Sequence, residues 1–377
     1  MIITVTPNPS LDKTVELPDP LAVGQVQRAA AQHAEPGGKG VNISRALTAA
    51  GDQTLALLPG DPTDPVLTAL CEIGVAHRGL PVGEALRTNI AITDPAGTTT
   101  KINERGPQLD AAAVAGFQEM ILRAAQGASW AALAGSLPPG APTDFYARLI
   151  TALRENTPDD AGSASTDSTG AESPGTDDAA ADRAAADDSA LVAVDASGEA
   201  LAAAAAAGPD LIKPNAEELL ELHTALCGAE QAEKPGPPVE APTAAATITP
   251  EELEIDKTQV LRLVRDCQAH GVRAALVTLG AHGALLVPAP GSGEPVLTAS
   301  GPPLEVRSTV GAGDASLAGY LSAAQRGASP ADRLRQAMAQ GRAAASLPGS
   351  TMPGPDDLRL SDVTVAEFTP ETKDTAS

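Results

Sequence analysis

Aromatic residues are nearly missing from this chain: one Trp, two Tyr and three Phe among 377 residues, 2% of the total. A core built from it must therefore be aliphatic. Cations are also scarce, 25 Lys and Arg against 48 Asp and Glu, and the net charge of −23 argues against a nucleic-acid or anionic-membrane partner. The three cysteines, Cys71, Cys227 and Cys267, lie far apart with no CxxC or metal-like spacing. That excludes a disulfide framework and suits a reducing cytoplasm. No apolar run approaches the length of a membrane span, and "MIITVTPNPSLDK" lacks the basic start and apolar core of a leader. A soluble cytoplasmic protein is expected.

The acidic excess is uneven. Residues 156–190 carry eight Asp and one Glu against one Arg, net −8, and 228–256 carry seven acids against Lys234, net −6. The first stretch has almost no large apolar residue and cannot bury enough surface to offset the entropy of ordering, so a disordered acidic insert is expected at 156–190. A second, Pro- and Ala-rich flexible insert is expected at 228–250, with "TPEELEI" capping the helix after it. The remainder suits one α/β domain. "MIITVT" reads as a buried strand, "GKGVNISRALTAAG" as a helix closed by Gly51, "TLALLPG" as a strand and "PVLTALCEIG" as a helix, and this alternation implies a parallel sheet. "WAALAG", "LVAVDAS", "DLIKPN" and "RAALVTLG" extend it. "RTNIAITDPAGTTTKIN" reads instead as a hairpin around "DPAG", a β lid, with lid elements expected near 12–28 and 86–104.

Ligands of open parallel sheets bind at the C-terminal ends of the strands, so polar residues just past the apolar runs are the first suspects. In "STVGAGDASLAGYL", Gly311, Ala312 and Gly313 fall where a helix begins, and unpartnered N–H groups with the positive end of the helix dipole attract an anion. Asp314 is an acid beside that anion site, either a plain helix cap or a chemical group. "GGKGVN" is a second phosphate-type loop, with Gly38 exposing backbone and Lys39 supplying charge, although its spacing is not that of a Walker motif. Asp12 follows the first strand. "IKPNAEEL" offers Lys213, Asn215 and Glu218. Asn215 and Glu218 share a face at i, i+3, which suits either a capping box or Mg²⁺ held through water beside phosphates. Thr278, Gly280 and Gly283 at another strand end could lie against a nucleotide.

With "GGKGVN", "KPNAEEL" and "STVGAGDASLAGYL" in this order, the chain resembles the ribokinase-like (phosphofructokinase B) sugar kinases. "TVTPNPSLDKT", "TKINERGPQL" and "AGSLPPG" are similar to the branch acting on fructose and tagatose phosphates. The resemblance implies a three-layer α/β fold with a mostly parallel sheet and a small β lid. It further implies Asp314 as catalytic base and Gly311, Ala312 and Gly313 as an anion hole. Asp12, Gly38, Lys39, Asn42 and Arg87 would bind the sugar phosphate; Lys213, Thr278, Gly280 and Gly283 would bind ATP, the co-substrate. Asn215 and Glu218 would hold Mg²⁺ through water, and a homodimer could form through the lid. The implied activity is ATP-dependent phosphorylation of D-fructose 1-phosphate. Tagatose 6-phosphate or fructose 6-phosphate is the alternative acceptor, and a non-catalytic sugar-phosphate sensor is the alternative outside the enzymes. An Asp of ordinary acidity, ionised at neutral pH, would serve as the base.

Overall fold

The computed structural model describes residues 1–155, 189–232 and 248–370. The acidic insert expected at 156–190 therefore lies almost wholly outside the described residues. Fourteen strands are described: β1 (Ile2–Val5), β2 (Ser10–Glu16), β3 (Ala31–Gly37), β4 (Thr54–Pro59), β5 (His77–Leu80), β6 (Arg87–Thr93), β7 (Thr99–Asn103), β8 (Trp130–Ala134), β9 (Leu191–Asp195), β10 (Leu211–Ile212), β11 (Ala274–Thr278), β12 (Ala284–Val287), β13 (Leu297–Ser300) and β14 (Thr364–Glu367). Ten α-helices accompany them: α1 (Lys39–Ala49), α2 (Pro65–Glu72), α3 (Ala111–Ala125), α4 (Phe145–Glu155), α5 (Gly198–Ala206), α6 (Ala216–Ala232), α7 (Pro250–Ile255), α8 (Lys257–Gln268), α9 (Ala312–Gln325) and α10 (Pro330–Ser346).

The main sheet has the order β14-β13-β12-β11-β10-β9-β8-β1-β4-β5. From β11 to β5 every pairing is parallel, and β12, β13 and β14 close one edge as an antiparallel meander. Period-2 alternation sends side chains of one strand into two cores. On β1, Ile3 and Val5 join the layer that holds Phe117, Phe145, Leu219 and Val264 from α3, α4, α6 and α8. Ile2 joins the opposite layer, with Ile43 of α1, Leu317 of α9 and Leu334 of α10. Both layers are mainly aliphatic, as the composition requires. The few rings meet in pairs, Phe117 stacked on Phe145 and Trp130 edge-on to Tyr320.

The second sheet, β3-β2-β6-β7, is the lid. Its hairpin, β6 and β7 around Asp94–Gly97, matches the reading of the sequence. Its other half does not. Only β2 falls within 12–28; the chain from 17 to 30 forms no strand, and the partner of β2 is β3, antiparallel from Ser10↔Gly37 to Glu16↔Ala31. "AQHAEPG" carries no β-rich alternation, so tertiary pairing rather than propensity makes it a strand. Of the second insert, 233–247 lies outside the described residues, but its ends are helical: α6 continues through Gly228 to Ala232, and α7 starts at Pro250. Thr249 caps α7 in a reciprocal box with Glu252, as "TPEELEI" suggested. Among the described residues no helix is long and apolar enough to cross a membrane.

Helix α1 lies directly against β1, and Gly40 makes that approach feasible. A Cβ there would stand 2.4 Å from Thr6 Oγ1 and 2.8 Å from the Val5 carbonyl oxygen. Gly40→Ala should therefore force the helix off the sheet and lower stability by about 1–3 kcal/mol, measured as the denaturant midpoint at constant m-value.

Candidate active site

The C-terminal ends of the parallel strands converge on one cleft of about 880 Å³. Strand β9 delivers Asp195, the chain after β10 delivers Lys213, Asn215 and Glu218, and the N-terminal turns of α1 and α9 deliver Lys39 and Gly311 to Asp314. All but Asp195 line the cleft, together with Thr278, Gly280 and Gly283 after β11.

Gly311 stands at the N-cap of helix α9, with a φ of 74° in the left-handed conformation that glycine adopts without strain. No side chain caps it; the Ala312 N–H donates to the Thr309 carbonyl at 3.4 Å, and a helix start leaves further N–H groups without intrahelical partners. A plain cap does not account for Asp314. It lies inside the first turn, 7% exposed, and its Oδ2 accepts a 2.8 Å hydrogen bond from Asn42 Nδ2. Nor is its acidity ordinary. Burial first, and then the charge of Asp195, lift its pKa to about 6, against the opposing pull of the Asn42 hydrogen bond and of Lys213 and Lys39.

Lys39 Nζ donates to Asp195 Oδ1 at 2.7 Å and to Glu218 Oε1 at 2.9 Å, and Lys213 Nζ pairs with Asp195 Oδ2 at 3.0 Å. Burial alone would favour the neutral form of Lys39, but Asp195 and Glu218 outweigh it and keep the ammonium. For Asp195, burial is likewise the largest influence, and it is outweighed by Lys213 and then Lys39, which hold the carboxyl below its usual range. Lys213 also lies close to the turn that opens α9: a Cβ on Gly313 would come within 3.2 Å of its Nζ.

Asn215 and Glu218 form the capping box that was one of their two readings. The Asn215 N–H donates to Glu218 Oε2 at 3.0 Å, and the Glu218 N–H to Asn215 Oδ1 at 2.8 Å. Lys39, expected beside the sugar phosphate, lines the cleft, where it pairs with Asp195 and Glu218.

The other residues expected to bind the sugar phosphate gather where the lid meets the region after β1. Asp12 on β2 accepts from Ser10 Oγ at 2.7 Å and Asn89 Nδ2 at 2.9 Å. Arg87 on β6 donates to the Asn8 carbonyl at 2.9 Å, and burial opposed by Asp12 lowers its pKa. Gly38 precedes α1, and Asn42 joins this region to Asp314. Thr6 Oγ1, Asn8 Oδ1, Arg87 Nε and Asn89 Oδ1 are buried in this region without a hydrogen-bond partner among the described residues. Asp195, Asn8 and Asn89 were missed in the sequence. Asp195 closes the strand "LVAVDAS", so the strand-end rule applied at every strand would have found it.

The sequence pattern of the pfkB family of carbohydrate kinases matches residues 8–172 and 162–357. The 1-phosphofructokinase of Rhodobacter capsulatus is 31% identical over 366 residues, spanning 95% of this chain and 94% of that protein. That of Haloferax volcanii is 29% identical over 376 residues, spanning 99% and 100%. Phosphofructokinase-2 from Escherichia coli, solved in complex with substrates and products, superimposes with a TM-score of 0.71 at 25% identity, covering 94% of this chain and 96% of that one.

The acidity of Asp314 has a sign that can be checked. A base must be ionised, so kcat/KM should fall as pH drops through about 6, a limb read from a rate profile between pH 5 and 8. The folded state holds this proton more tightly than the unfolded state, whose carboxyl titrates near 3.8, so ionisation costs stability as pH rises from about 4 to 6. Asp314→Asn avoids that cost and should melt at or above the wild-type temperature at pH 8.

Proposed function

Because this chain belongs to the pfkB family of carbohydrate kinases, we propose that it transfers the γ-phosphoryl group of ATP to the 6-hydroxyl of D-fructose 1-phosphate, giving fructose 1,6-bisphosphate and ADP. The observation that carries this reading is Asp314: a buried carboxylate of raised pKa, oriented by Asn42, one residue past the glycines of an open helix N-terminus. Phosphoryl transfer is mostly positioning and charge neutralisation. In this reading Asp314 accepts the proton of the sugar hydroxyl as its oxygen bonds to the γ-phosphorus and the bond to the ADP oxygen breaks. The N–H groups of the Gly311–Gly313 turn and the ammonium of Lys213 receive the charge that develops on the transferring group. A sensor would have no use for a proton acceptor at that place.

Mg²⁺ enters this reading with the nucleotide. Both oxygens of Glu218 already accept hydrogen bonds, and no group of three or more His, Cys, Asp or Glu among the described residues could cage an ion. These hard oxygen donors therefore fit an ion bound chiefly by phosphate oxygens and touched by Asn215 and Glu218 through water. Bound there, it neutralises phosphate charge.

Two curated relatives that span nearly the whole chain are 1-phosphofructokinases, which supports fructose 1-phosphate as the acceptor. The likeness to phosphofructokinase-2 keeps fructose 6-phosphate, and with it tagatose 6-phosphate, as the second reading. A homodimer through the lid belongs to the same proposal and would cover Val23 and Val26, now almost fully exposed. The deciding experiment couples ADP release to a spectroscopic signal with each of the three sugar phosphates. Fructose 1-phosphate should lead in kcat/KM by at least about tenfold, the size of one misplaced charged contact. A lead by another phosphate replaces the substrate, and no turnover with any of them leaves the sensor.

A further inference from the structure

Asp195 is wholly buried at the end of β9, yet it carries a charge. Stability does not require this, since buried ion pairs are often replaceable by apolar side chains at no cost. Its two partners reach it from separate parts of the chain, Lys39 from the start of α1 and Lys213 from the segment after β10. They differ in freedom. Lys213 is only 4% exposed at the wall of the cleft, with its ammonium paired to Asp195 and lying against Gly313. Lys39 is 32% exposed and shared with Glu218, so it can lean toward an arriving phosphate while keeping one carboxylate contact.

We propose that Asp195 is a positioning residue of the transfer step, acting through Lys39 and Lys213 so that both ammonium groups stand at the anion-binding turn before the nucleotide arrives. The inference rests on the reading of the cleft as a phosphoryl-transfer site, and it does not depend on which sugar phosphate is used. Pre-placed cations lower the barrier because they need no reorganisation when charge develops. The short side chain matters as well, since the longer Glu would push both lysines out of place. The charged or titratable groups influenced by Asp195 are Lys39, Lys213, Asp314 and the buried Tyr146, whose hydroxyl donates to the Gly135 carbonyl.

The test is Asp195→Asn, with steady-state kinetics, a pH profile and a melting curve, using whichever of the three sugar phosphates the wild type turns over fastest. Failure of the fructose 1-phosphate reading thus leaves this test intact. Per folded enzyme, kcat should fall by roughly 10²-fold while KM for ATP changes by less than about threefold, the signature of an interaction made in the transition state. The acid limb should also move below the wild-type position, because one of the charges that raise the Asp314 pKa is gone. A purely structural Asp195 would lower only the folded fraction. Unchanged kcat per folded enzyme, or an unmoved limb, overturns the proposal. Should Asp195→Asn not fold, Asp195→Glu keeps the charge and displaces the lysines: a fall in kcat of at least about tenfold with the limb in place supports the proposal, and kcat within about threefold of wild type overturns it.

Discussion

A carboxylate that never touches water, Asp195, sits between two lysines, and the charged groups around the cleft are arranged against it. It keeps Lys39 ionised, pairs with Lys39 and Lys213 at 2.7 and 3.0 Å, and its negative charge reaches Asp314. The fold makes such an arrangement feasible. Parallel strands end together at one edge of the sheet, so the residues that follow β9, β10 and β11 and those opening α1 and α9 meet although far apart in sequence. Removing the apolar layers on either side would return these charges to water, where each pair is worth little.

In the proposed reading, an acid beside an anion-binding helix terminus is an electrostatic conflict, and the charges around it answer it by balance. Two cations, Lys39 and Lys213, offset Asp195 and Glu218. At Asp314, burial and then the charge of Asp195 outweigh the Asn42 hydrogen bond and the two lysines, and so its proton is held more tightly than an ordinary carboxyl would hold it. The same burial that raises its pKa makes it a stronger base in its ionised form. An acid of ordinary strength, as the sequence suggested, would have been the weaker choice.

Much of this was legible from residue types and spacing. The glycines of "GAGD" announce an open helix terminus because only backbone without Cβ allows close approach, and the hairpin around "DPAG" follows from turn chemistry. What local sequence does not carry is the partner that a side chain finds. Lys39 has the same neighbours in the chain whether it turns to a sugar phosphate or to Asp195. Asn215 and Glu218 have the spacing of both a capping box and a water-mediated ion site. Strand β3 is a strand only because β2 lies beside it. The antiparallel edge from β12 to β14 consists of four-residue strands, too short for periodicity to register.

The central claim is that Asp314 is the base, and Asp314→Asn tests it most directly, because Asn preserves the shape of the side chain. Steady-state turnover with the best sugar phosphate, beside a nucleotide titration of the same protein, separates chemistry from binding. The account predicts a loss in kcat on the order of 10² to 10⁴, with ATP affinity kept or improved because a negative charge near the phosphates is gone. A folded variant with near wild-type kcat would contradict it.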